Sequence, residues 1–396
     1  MSTTDIKCGY LPLVDCAPLI IAKELTFAAQ EGLNLTLMRQ PSWSALRDRL
    51  AFGHLHFAHM LSPMPLAMSL GLGSVPAKMD ALMVLSVNGT VIGVSADLDQ
   101  KMRTTGWAPC FDDPASTSKA LFAAAEGPLR IGVPFPYSMH RMLLEYWLKQ
   151  DPNYSDRAIK ILTIPPHDMA EAVRSGRLDM FCVGEPWGSV AVQDSEAALL
   201  LPGSAIWRAA PEKVLGARHE WIEENPDICK AMVRAVYKAC RWLDQPENTP
   251  LAVEILARSQ HLDLPDHAID PALTKRITTR QNNAPTRVEH FLRFHDYAAN
   301  FPWQSQACWI SDQLSEGTNL DALAAREAAR ACFRSDIYSA ALHAVAADIP
   351  QVSEKLEGAL DDAAPLNKAK GGVILGPDRF FDGAVFNFAQ VEVIKN

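Results

Sequence analysis

Residues 6–60 read IKCGYLPLVDCAPLIIAKELTFAAQEGLNLTLMRQPSWSALRDRLAFGHLHFAHM, a stretch in which β-prone runs alternate with runs of helical periodicity. Pro18 and Gly32 delimit one predicted helix, and Ser42 and Gly53 delimit another. The predicted strands are residues 6–11, 33–38 and 55–60, and the predicted helices are residues 17–30 and 42–52. This β-α-β-α-β order implies parallel strands with helices on both faces, and hence an α/β fold.

A second α/β unit follows the first. Residues 81–95 are mostly apolar and β-prone, which predicts long strands that leave the first unit. Further strands are predicted at residues 129–133, 159–164, 180–183 and 199–201, with helices at residues 139–149, 167–174, 252–259, 287–296 and 321–333 and a helical run from Pro226. Because 396 residues is long for one core, we expect two lobes with the ligand cleft between them.

The charge and the absence of common motifs argue against several functions. A formal net charge of −9 without a dense basic run argues against direct nucleic-acid binding, although one buried pocket can still be locally positive. No apolar run reaches the roughly 18 residues that a membrane span needs, so we expect no membrane partner. The sequence contains no HExxH, Walker loop, GxSxG or complete GxGxxG, and we expect no cofactor.

The N-terminus and the cysteines predict a cytoplasmic protein. The first residues lead directly into a strand pattern, and the next apolar segment is interrupted by Pro12, Asp15 and Pro18, which is unlike an export signal. The eight cysteines include no CxxC pair, which is typical of free, mostly buried thiols in a reducing compartment.

Three histidines, His54, His56 and His59, suggest a zinc site at first sight. Alternation along a strand places His54 and His56 on one face and His59 on the other, and we expect no acidic or cysteine partner nearby. We therefore predict that they bind no metal.

Segments along nearly the whole chain, in the expected order, carry a family resemblance. They are LPLVDCAPLIIAKE at 11–24, PSWSALRDRLAFG at 41–53, AHMLSPMPLAMSLG at 58–71, VNG at 87–89, FCVGEPW at 181–187, PEKVLGARHEW at 211–221, NFPW at 300–303, RSDIY at 334–338 and FFDGAVFN at 380–387. These segments resemble the nitrate- and bicarbonate-binding branch of the ABC-transporter solute-binding proteins, the group of NrtA and CmpA. The resemblance implies a two-lobed, type II periplasmic-binding-protein-like fold, with lobe one formed by residues 1–95 and 205–396 and lobe two, residues 96–204, inserted between them.

The resemblance implies a binding function rather than an enzymatic one. Exported members carry a lipoprotein signal that this sequence lacks, and the chain is similar to the cytoplasmic NasS-type sensors. We therefore expect a nitrate or nitrite sensor that closes on its ligand and releases an RNA-binding, NasT-like ANTAR antiterminator, regulating nitrate assimilation. The alternative is the solute-binding component of an ABC nitrate or bicarbonate transporter whose signal is missing. An enzyme similar to the pyrimidine synthases of thiamine biosynthesis is less favoured, because their cysteine-rich motif is absent.

Carried over by position, the ligand contacts are Trp43, Asn88, Gly89, Thr90, His140 and Lys213. Nitrate is a planar monoanion, so a dry site must supply hydrogen-bond donors and about one positive charge, and Lys213 can supply both. The family resemblance implies that lysine at this position favours nitrate over bicarbonate. Thr90 departs from the family pattern, since the nitrate transporter proteins have glutamine there.

Each candidate also has an ordinary structural interpretation. Trp43 could belong to the core, His140 could be a surface histidine near a helix start, and Lys213 could be a solvated lysine. Glu185 could be a helix-entry carboxylate, or it could orient Lys213 or His140; we favour the orienting role and include Glu185 in the site.

Overall fold

The N-terminal elements of the structure follow the predicted β-α-β-α-β order. The structure is a computed structural model that describes residues 3–73, 75–155, 158–195, 197–316, 318–343, 345, 348–366 and 372–390. The elements are β1 (Thr4–Tyr10), α1 (Ala17–Glu24), α2 (Phe27–Gln30), β2 (Leu33–Arg39), α3 (Trp43–Ala51), β3 (Phe57–Leu61), α4 (Pro63–Ser69) and β4 (Met79–Asn88). β1 pairs in parallel with β2 and β3, as an α/β sheet of this order requires.

Two local details of this region follow from single residues. Thr26 adopts a left-handed φ of 60°, which separates α1 from α2, so the single helix predicted for residues 17–30 is divided. Ser42 caps α3 as predicted, since its hydroxyl oxygen accepts a hydrogen bond from the backbone N–H of Ala45 at 3.1 Å. The cap places Trp43 in the first turn of α3, where it is buried.

The middle of the chain forms a second α/β unit. Its elements are β5 (Thr90–Val94), α5 (Ala96–Thr104), α6 (Pro114–Ala124), β6 (Leu129–Val133), α7 (Met139–Lys149), β7 (Ile159–Thr163), α8 (Met169–Arg174), β8 (Met180–Gly184), α9 (Trp187–Ser195) and β9 (Ala198–Pro202). β6 is parallel to β7 and β8, whereas β5 is antiparallel to β8 and β9. The strands predicted here agree with the structure to within one or two residues.

The rest of the chain is mainly helical. Its elements are β10 (Pro211–Arg218), α10 (His219–Glu224), α11 (Pro226–Leu243), α12 (Thr249–Ala257), α13 (Asp266–Thr274), β11 (Arg276–Ile277), β12 (Thr286–Arg287), β13 (Leu292–Arg293), α14 (Gln304–Ser315), α15 (Ala322–Cys332), α16 (Ser335–His343), β14 (Ala364–Pro365) and β15 (Ile374–Leu375). One sheet has the order β13-β4-β10-β3-β1-β2, and the other has the order β7-β6-β8-β5-β9. We call the six-stranded sheet with its helices lobe one, and the five-stranded sheet with its helices lobe two.

The helix predicted for residues 287–296 is wrong. This segment contains the end of β12 and the whole of β13, which pairs with the edge of β4. The Asp244 carboxylate accepts hydrogen bonds from the backbone N–H groups of Phe294, His295 and Asp296, so these amides are satisfied without a helix. Tertiary pairing thus outweighs the local helical pattern.

The chain passes from lobe one to lobe two at Gly89. Its φ of 96° suits glycine, and a Cβ there would lie 2.9 Å from Leu292 Cδ1. Thr90–Val94 consequently pairs within lobe two, although the sequence prediction assigned residues 1–95 to lobe one.

The chain returns from lobe two to lobe one between β9 and β10. Asn88, beside the first crossing at Gly89, is hydrogen-bonded to this second crossing. The Asn88 side-chain amide donates hydrogen bonds to the carbonyls of Arg208, at 2.8 Å, and His290, at 2.9 Å. Asn88 therefore joins both crossings to the C-terminal part of lobe one.

Burial in the core matches the patterns that predicted it. The apolar face of α11 is buried through Met232, Val236 and Cys240. All eight cysteines are free, and Cys110 alone among them is exposed, as expected for thiols that serve as small core residues. Of the helices that the structure describes, none has both the length and the apolar character needed to cross a membrane.

Candidate functional site

A fully buried lysine lies at the centre of lobe one's sheet. Lys213 is on β10, is 0% exposed, and places its Nζ 2.6 Å from Asp15 Oδ2 and 2.8 Å from Glu212 Oε1. The pairing of β10 with β4 shifts register between Pro211 and Lys213. A strand that alternates regularly would point Glu212 and Lys213 to opposite faces, and this irregularity accounts for their meeting in one cluster.

Lobe two contributes His140 to the same cluster. Ser138 caps α7 by accepting from the Arg141 N–H at 3.2 Å, which places His140 in the first turn. The His140 ring is 0% exposed, and its Nδ1 lies 3.1 Å from Glu212 Oε1. Glu212 thus contacts the lysine of its own lobe and the histidine of the other.

Trp43 and His59 are the other lobe-one residues that contact the cluster. Lys213 Nζ lies 5.6 Å from the centre of the Trp43 ring, within the range of a cation–π contact. The His59 ring lies 5.6 Å from that of Trp43, and His59 Nε2 is 3.0 Å from Asp15 Oδ1. The expectation that His59 lacks an acidic neighbour is therefore wrong, because Asp15 is close in space though distant in sequence.

Gly184 allows the two lobes to approach here. A Cβ at this position would lie 2.8 Å from Leu13 Cδ2, and 3.6 Å from both Asp15 Oδ2 and His140 Nε2. Even an alanine would enter the space that separates Asp15 of lobe one from His140 of lobe two.

The loop predicted to bind ligand lies at the first crossing. Asn88 is occupied in tying the crossings together, and Gly89 provides the turn. Thr90 is buried, and its Oγ1 lies 2.2 Å from the position of a Cβ at Gly203. Of these three residues, Thr90 offers a buried hydroxyl without a hydrogen-bond partner among the described residues.

Glu185 does not orient Lys213 or His140, contrary to the favoured prediction. Its Oε2 accepts a hydrogen bond from the Ser189 N–H at 3.0 Å, so the carboxylate caps the start of α9. The carboxylates that orient the lysine and the histidine are instead Asp15 and Glu212.

Sequence reasoning missed three members of the cluster: Asp15, His59 and Glu212. Asp15 was visible as a lone charge in the apolar segment that follows β1, where parallel strands place ligand-binding loops. Glu212 lies beside Lys213 in the sequence, but regular alternation predicts that it points away.

The positive charge of Lys213 and the negative charge of Asp15 stabilise each other in the cluster. Burial alone would raise the pKa of Asp15, but Lys213 and His59 hold that pKa well below its usual value. Burial alone would lower the pKa of Lys213, but Asp15 and Glu212 outweigh it and raise that pKa. Lys213 and Asp15 are therefore both charged at neutral pH.

The pKa values of the other titratable groups in the cluster are shifted in the direction that favours their uncharged forms. Burial raises the pKa of Glu212 to about 7, with Lys213 opposing the rise. Burial lowers the pKa of both His59 and His140, and for His140 the nearby Lys213 lowers it further.

Several buried polar atoms around this cluster lack a hydrogen-bond partner within the described part of the chain. They are Trp43 Nε1, Thr90 Oγ1, both oxygens of Asp15, both ring nitrogens of His59 and of His140, and Glu212 Oε2; the close contacts of Asp15 and His140 with their charged neighbours therefore lack hydrogen-bond geometry. Buried polar groups are rarely left unpaired, because the desolvation cost is then not repaid. The arrangement suits a small ligand that carries several acceptor oxygens.

A group of possible metal ligands lies elsewhere, at Asp80, His219 and Glu223. Arg334 Nη1 already contacts Asp80 at 3.1 Å and Glu223 at 2.6 Å, and Lys78 Nζ lies 3.1 Å from His219 Nε2. These carboxylates thus already have cationic partners, so the arrangement does not fit a metal ion well.

Comparisons with known proteins give a consistent picture. The NMT1-like family matches residues 1–257. The nitrate/nitrite binding protein NrtA of a Nostoc species is 28% identical over 402 residues, covering 100% of this chain and 86% of the relative. The nitrate import ATP-binding protein NrtC of a Synechocystis species is 32% identical over 322 residues, covering 80% of this chain. The chain spans only 46% of the length of that relative.

A solved structure supports the same similarity. The crystal structure of the periplasmic nitrate-binding protein NrtA from Synechocystis PCC 6803 aligns with a TM-score of 0.82 at 26% identity, covering 98% of this chain and 96% of that one. The predicted two-lobed, periplasmic-binding-protein-like fold is therefore confirmed. The two NrtA relatives, which the chain matches over most of their length, are named as binding proteins rather than as enzymes.

Proposed function

This chain belongs to the NMT1-like family, and we propose that it binds nitrate or nitrite in the buried cluster around Lys213. One observation carries the proposal: a buried ammonium group lies in a cluster with polar atoms of both lobes that have no hydrogen-bond partner within the described residues. The NrtA relatives are named as nitrate/nitrite-binding and nitrate-binding proteins, and these names support the same ligands.

The ligand contacts proposed here come from both lobes. Trp43 Nε1 can only donate, and the buried Thr90 hydroxyl can also donate; neither has a partner among the described residues. Lys213 contributes the charge, and His140 contributes a donor from lobe two. Because the anion would bridge the lobes, binding would favour the closed arrangement over an open one.

Two biological roles are compatible with this site. The relatives' names favour a solute-binding component of an ABC nitrate or bicarbonate transporter. Our preferred role remains a cytoplasmic sensor, in which the closed state has a lower affinity than the open state for a NasT-like ANTAR antiterminator. Ligand can release such a partner only through this difference in affinity.

Calorimetry tests the ligand, with nitrate, nitrite, bicarbonate, chloride and sulfate as probes. We expect nitrate and nitrite to bind and Lys213→Met to abolish binding, since methionine keeps the aliphatic stem but removes the charge. Lys355→Met is the matched control, because Lys355 is a second lysine held by two carboxylates in lobe one, and it is partly buried. A response to bicarbonate alone would exclude the nitrate assignment.

The partner role needs a separate experiment. The protein is mixed with the antiterminator, and the complex is followed by size-exclusion chromatography with and without saturating nitrate. Release by nitrate supports the sensor role. A complex that persists in saturating nitrate, or that never forms, excludes it and leaves the transporter role.

A further inference from the structure

Glu212 is a buried carboxyl group between Lys213 and His140, and the ligand contacts proposed above give it no role. Its Oε1 lies 2.8 Å from Lys213 Nζ and 3.1 Å from His140 Nδ1, and the side chain is 0% exposed. Its Oε2 has no hydrogen-bond partner among the described residues. The carboxyl group therefore links the cation of one lobe to the imidazole of the other.

The protonation of this pair decides what His140 can offer to a ligand. If Glu212 is ionised, its negative oxygen lies 3.1 Å from Nδ1 and repels a lone pair there, so a neutral His140 keeps its single proton on Nδ1, although the contact lacks hydrogen-bond geometry. His140 Nε2 is then a bare acceptor, which repels the oxygens of an anion. If the pair holds one more proton, Nδ1 is engaged with Glu212 and Nε2 carries hydrogen.

The net charge of the cluster also favours a form of the pair that carries one more proton. With Asp15 and Glu212 ionised and Lys213 protonated, the cluster carries one net negative charge before any anion enters. An additional anion in a site closed to water would be strongly disfavoured. One proton on the Glu212–His140 pair cancels that excess.

We propose that the Glu212–His140 pair takes up one proton with each bound oxyanion, and that this proton makes His140 Nε2 a donor to the ligand. The proposal rests on the proposed function, because it concerns the same site. The proton comes from solvent and lies either on His140 or on Glu212 Oε1, the oxygen that faces Nδ1; both arrangements leave a hydrogen on Nε2. Glu212 is then a residue that controls binding through His140.

The charged and titratable groups that surround the pair leave it free to take up this proton. Lys213 and Asp15 form an ion pair, and His59 contacts Asp15 from the far side. From lobe two, Cys182 faces Glu212 and remains a thiol, because burial and Glu212 raise its pKa. The pKa of Glu212, raised by burial to about 7, places the uptake in the neutral range.

Calorimetry with nitrate, repeated in two buffers of different ionisation enthalpy from pH 6 to pH 9, counts the protons directly. We expect uptake of about one proton per nitrate at the upper end and a Kd that rises about ten-fold per pH unit there. Glu212→Gln removes the excess negative charge without a proton from solvent, because the amide is neutral and its oxygen can still accept from Lys213. This variant should therefore bind nitrate with little dependence on pH.

Glu357→Gln is the matched control, because Glu357 pairs with Lys355 away from the site, and its pH profile should follow that of the wild type. Nitrate binding without proton uptake, or a Glu212→Gln variant that keeps the wild-type pH profile, overturns the inference and leaves the proposed function intact. No nitrate binding at any pH overturns the proposed function itself.

Discussion

Two lysines of lobe one, each held between two carboxylates, can be compared: Lys213 is fully buried and Lys355 is partly buried. They are Lys213 with Asp15 and Glu212, here called the Lys213 triad, and Lys355 with Glu357 and Asp378, the Lys355 triad. Each ammonium also lies near an indole ring, 5.6 Å from the centre of Trp43 and 5.7 Å from that of Trp303.

The two triads differ in how completely their polar atoms are satisfied. In the Lys355 triad, Glu357 Oε1 accepts from the Ser305 hydroxyl at 2.6 Å, and Asp378 Oδ1 accepts from the Leu360 N–H at 2.9 Å. In the Lys213 triad, Glu212 Oε2 has no such partner within the described chain. The same charged groups can therefore serve structure in one place and leave capacity for a ligand in another.

The largest expected effect separates the triads by stability. Lys355→Met leaves two buried carboxylates without their cation, so we expect it to lower the free energy of unfolding by about 3–5 kcal/mol. Lys213→Met should cost less, because Glu212 can be protonated and Asp15 keeps its contact with His59. Urea denaturation of both variants measures the difference. Equal losses would mean that both triads are structural.

Glu185 is a buried carboxyl group with no lysine, and it predicts a pH effect of intermediate size. Burial raises its pKa to about 7, so its favourable contribution is present below its ordinary pKa and is lost as pH rises through about 7. Glu185→Gln should remove that loss, making the protein more stable than wild type at pH 8 by roughly 1–3 kcal/mol.

Urea unfolding at pH 5 and pH 8 checks this prediction. The buried histidines act in the opposite direction, because their lowered pKa values make stability rise with pH up to the ordinary histidine range. They are present in both proteins, so the difference between wild type and variant isolates Glu185. An unchanged difference at the two pH values would show that its carboxyl is ionised throughout.

The sequence predicts those elements whose structure follows from the local pattern of residues. It does not predict segments whose structure is set by tertiary contacts. The strands at residues 129–133 and 180–183 follow from local hydrophobicity and match the structure closely. The helix predicted at 287–296 fails, because pairing with β4 decides that segment.

The same division applies to the site. Lys213 and His140 were identified from a family resemblance, and the structure brings them together through Glu212. Glu212 itself was missed because the irregularity in β10 reverses the face that alternation predicts. The contact of Asp15 with His59 joins the short helical turn after β1 to strand β3, and neither local sequence pattern predicts it.

The two indole rings provide a smaller test of the same comparison. Trp43→Phe keeps an aromatic face for Lys213 but removes Nε1, so we expect nitrate affinity to fall by about ten-fold, the lower end of the value of one hydrogen bond to a charged ligand. Trp303→Phe makes the equivalent change beside Lys355 and should leave nitrate affinity unchanged. Calorimetry on both variants gives the ratio. Equal affinities would remove Trp43 Nε1 from the ligand contacts.

The smallest expected effect concerns a contact between lobes outside both triads. Trp187 of lobe two donates from Nε1 to the Pro12 carbonyl of lobe one at 3.1 Å, and its ring is partly exposed. If closure over the ligand forms this bond, Trp187→Phe should weaken nitrate binding by roughly 0.5–1 kcal/mol, about two- to five-fold, mainly through faster dissociation. Stopped-flow dissociation measures this. An unchanged dissociation rate would mean that the contact persists in the open state, and the lobes would then be held closed by the cluster around Lys213 without help from the cleft edge.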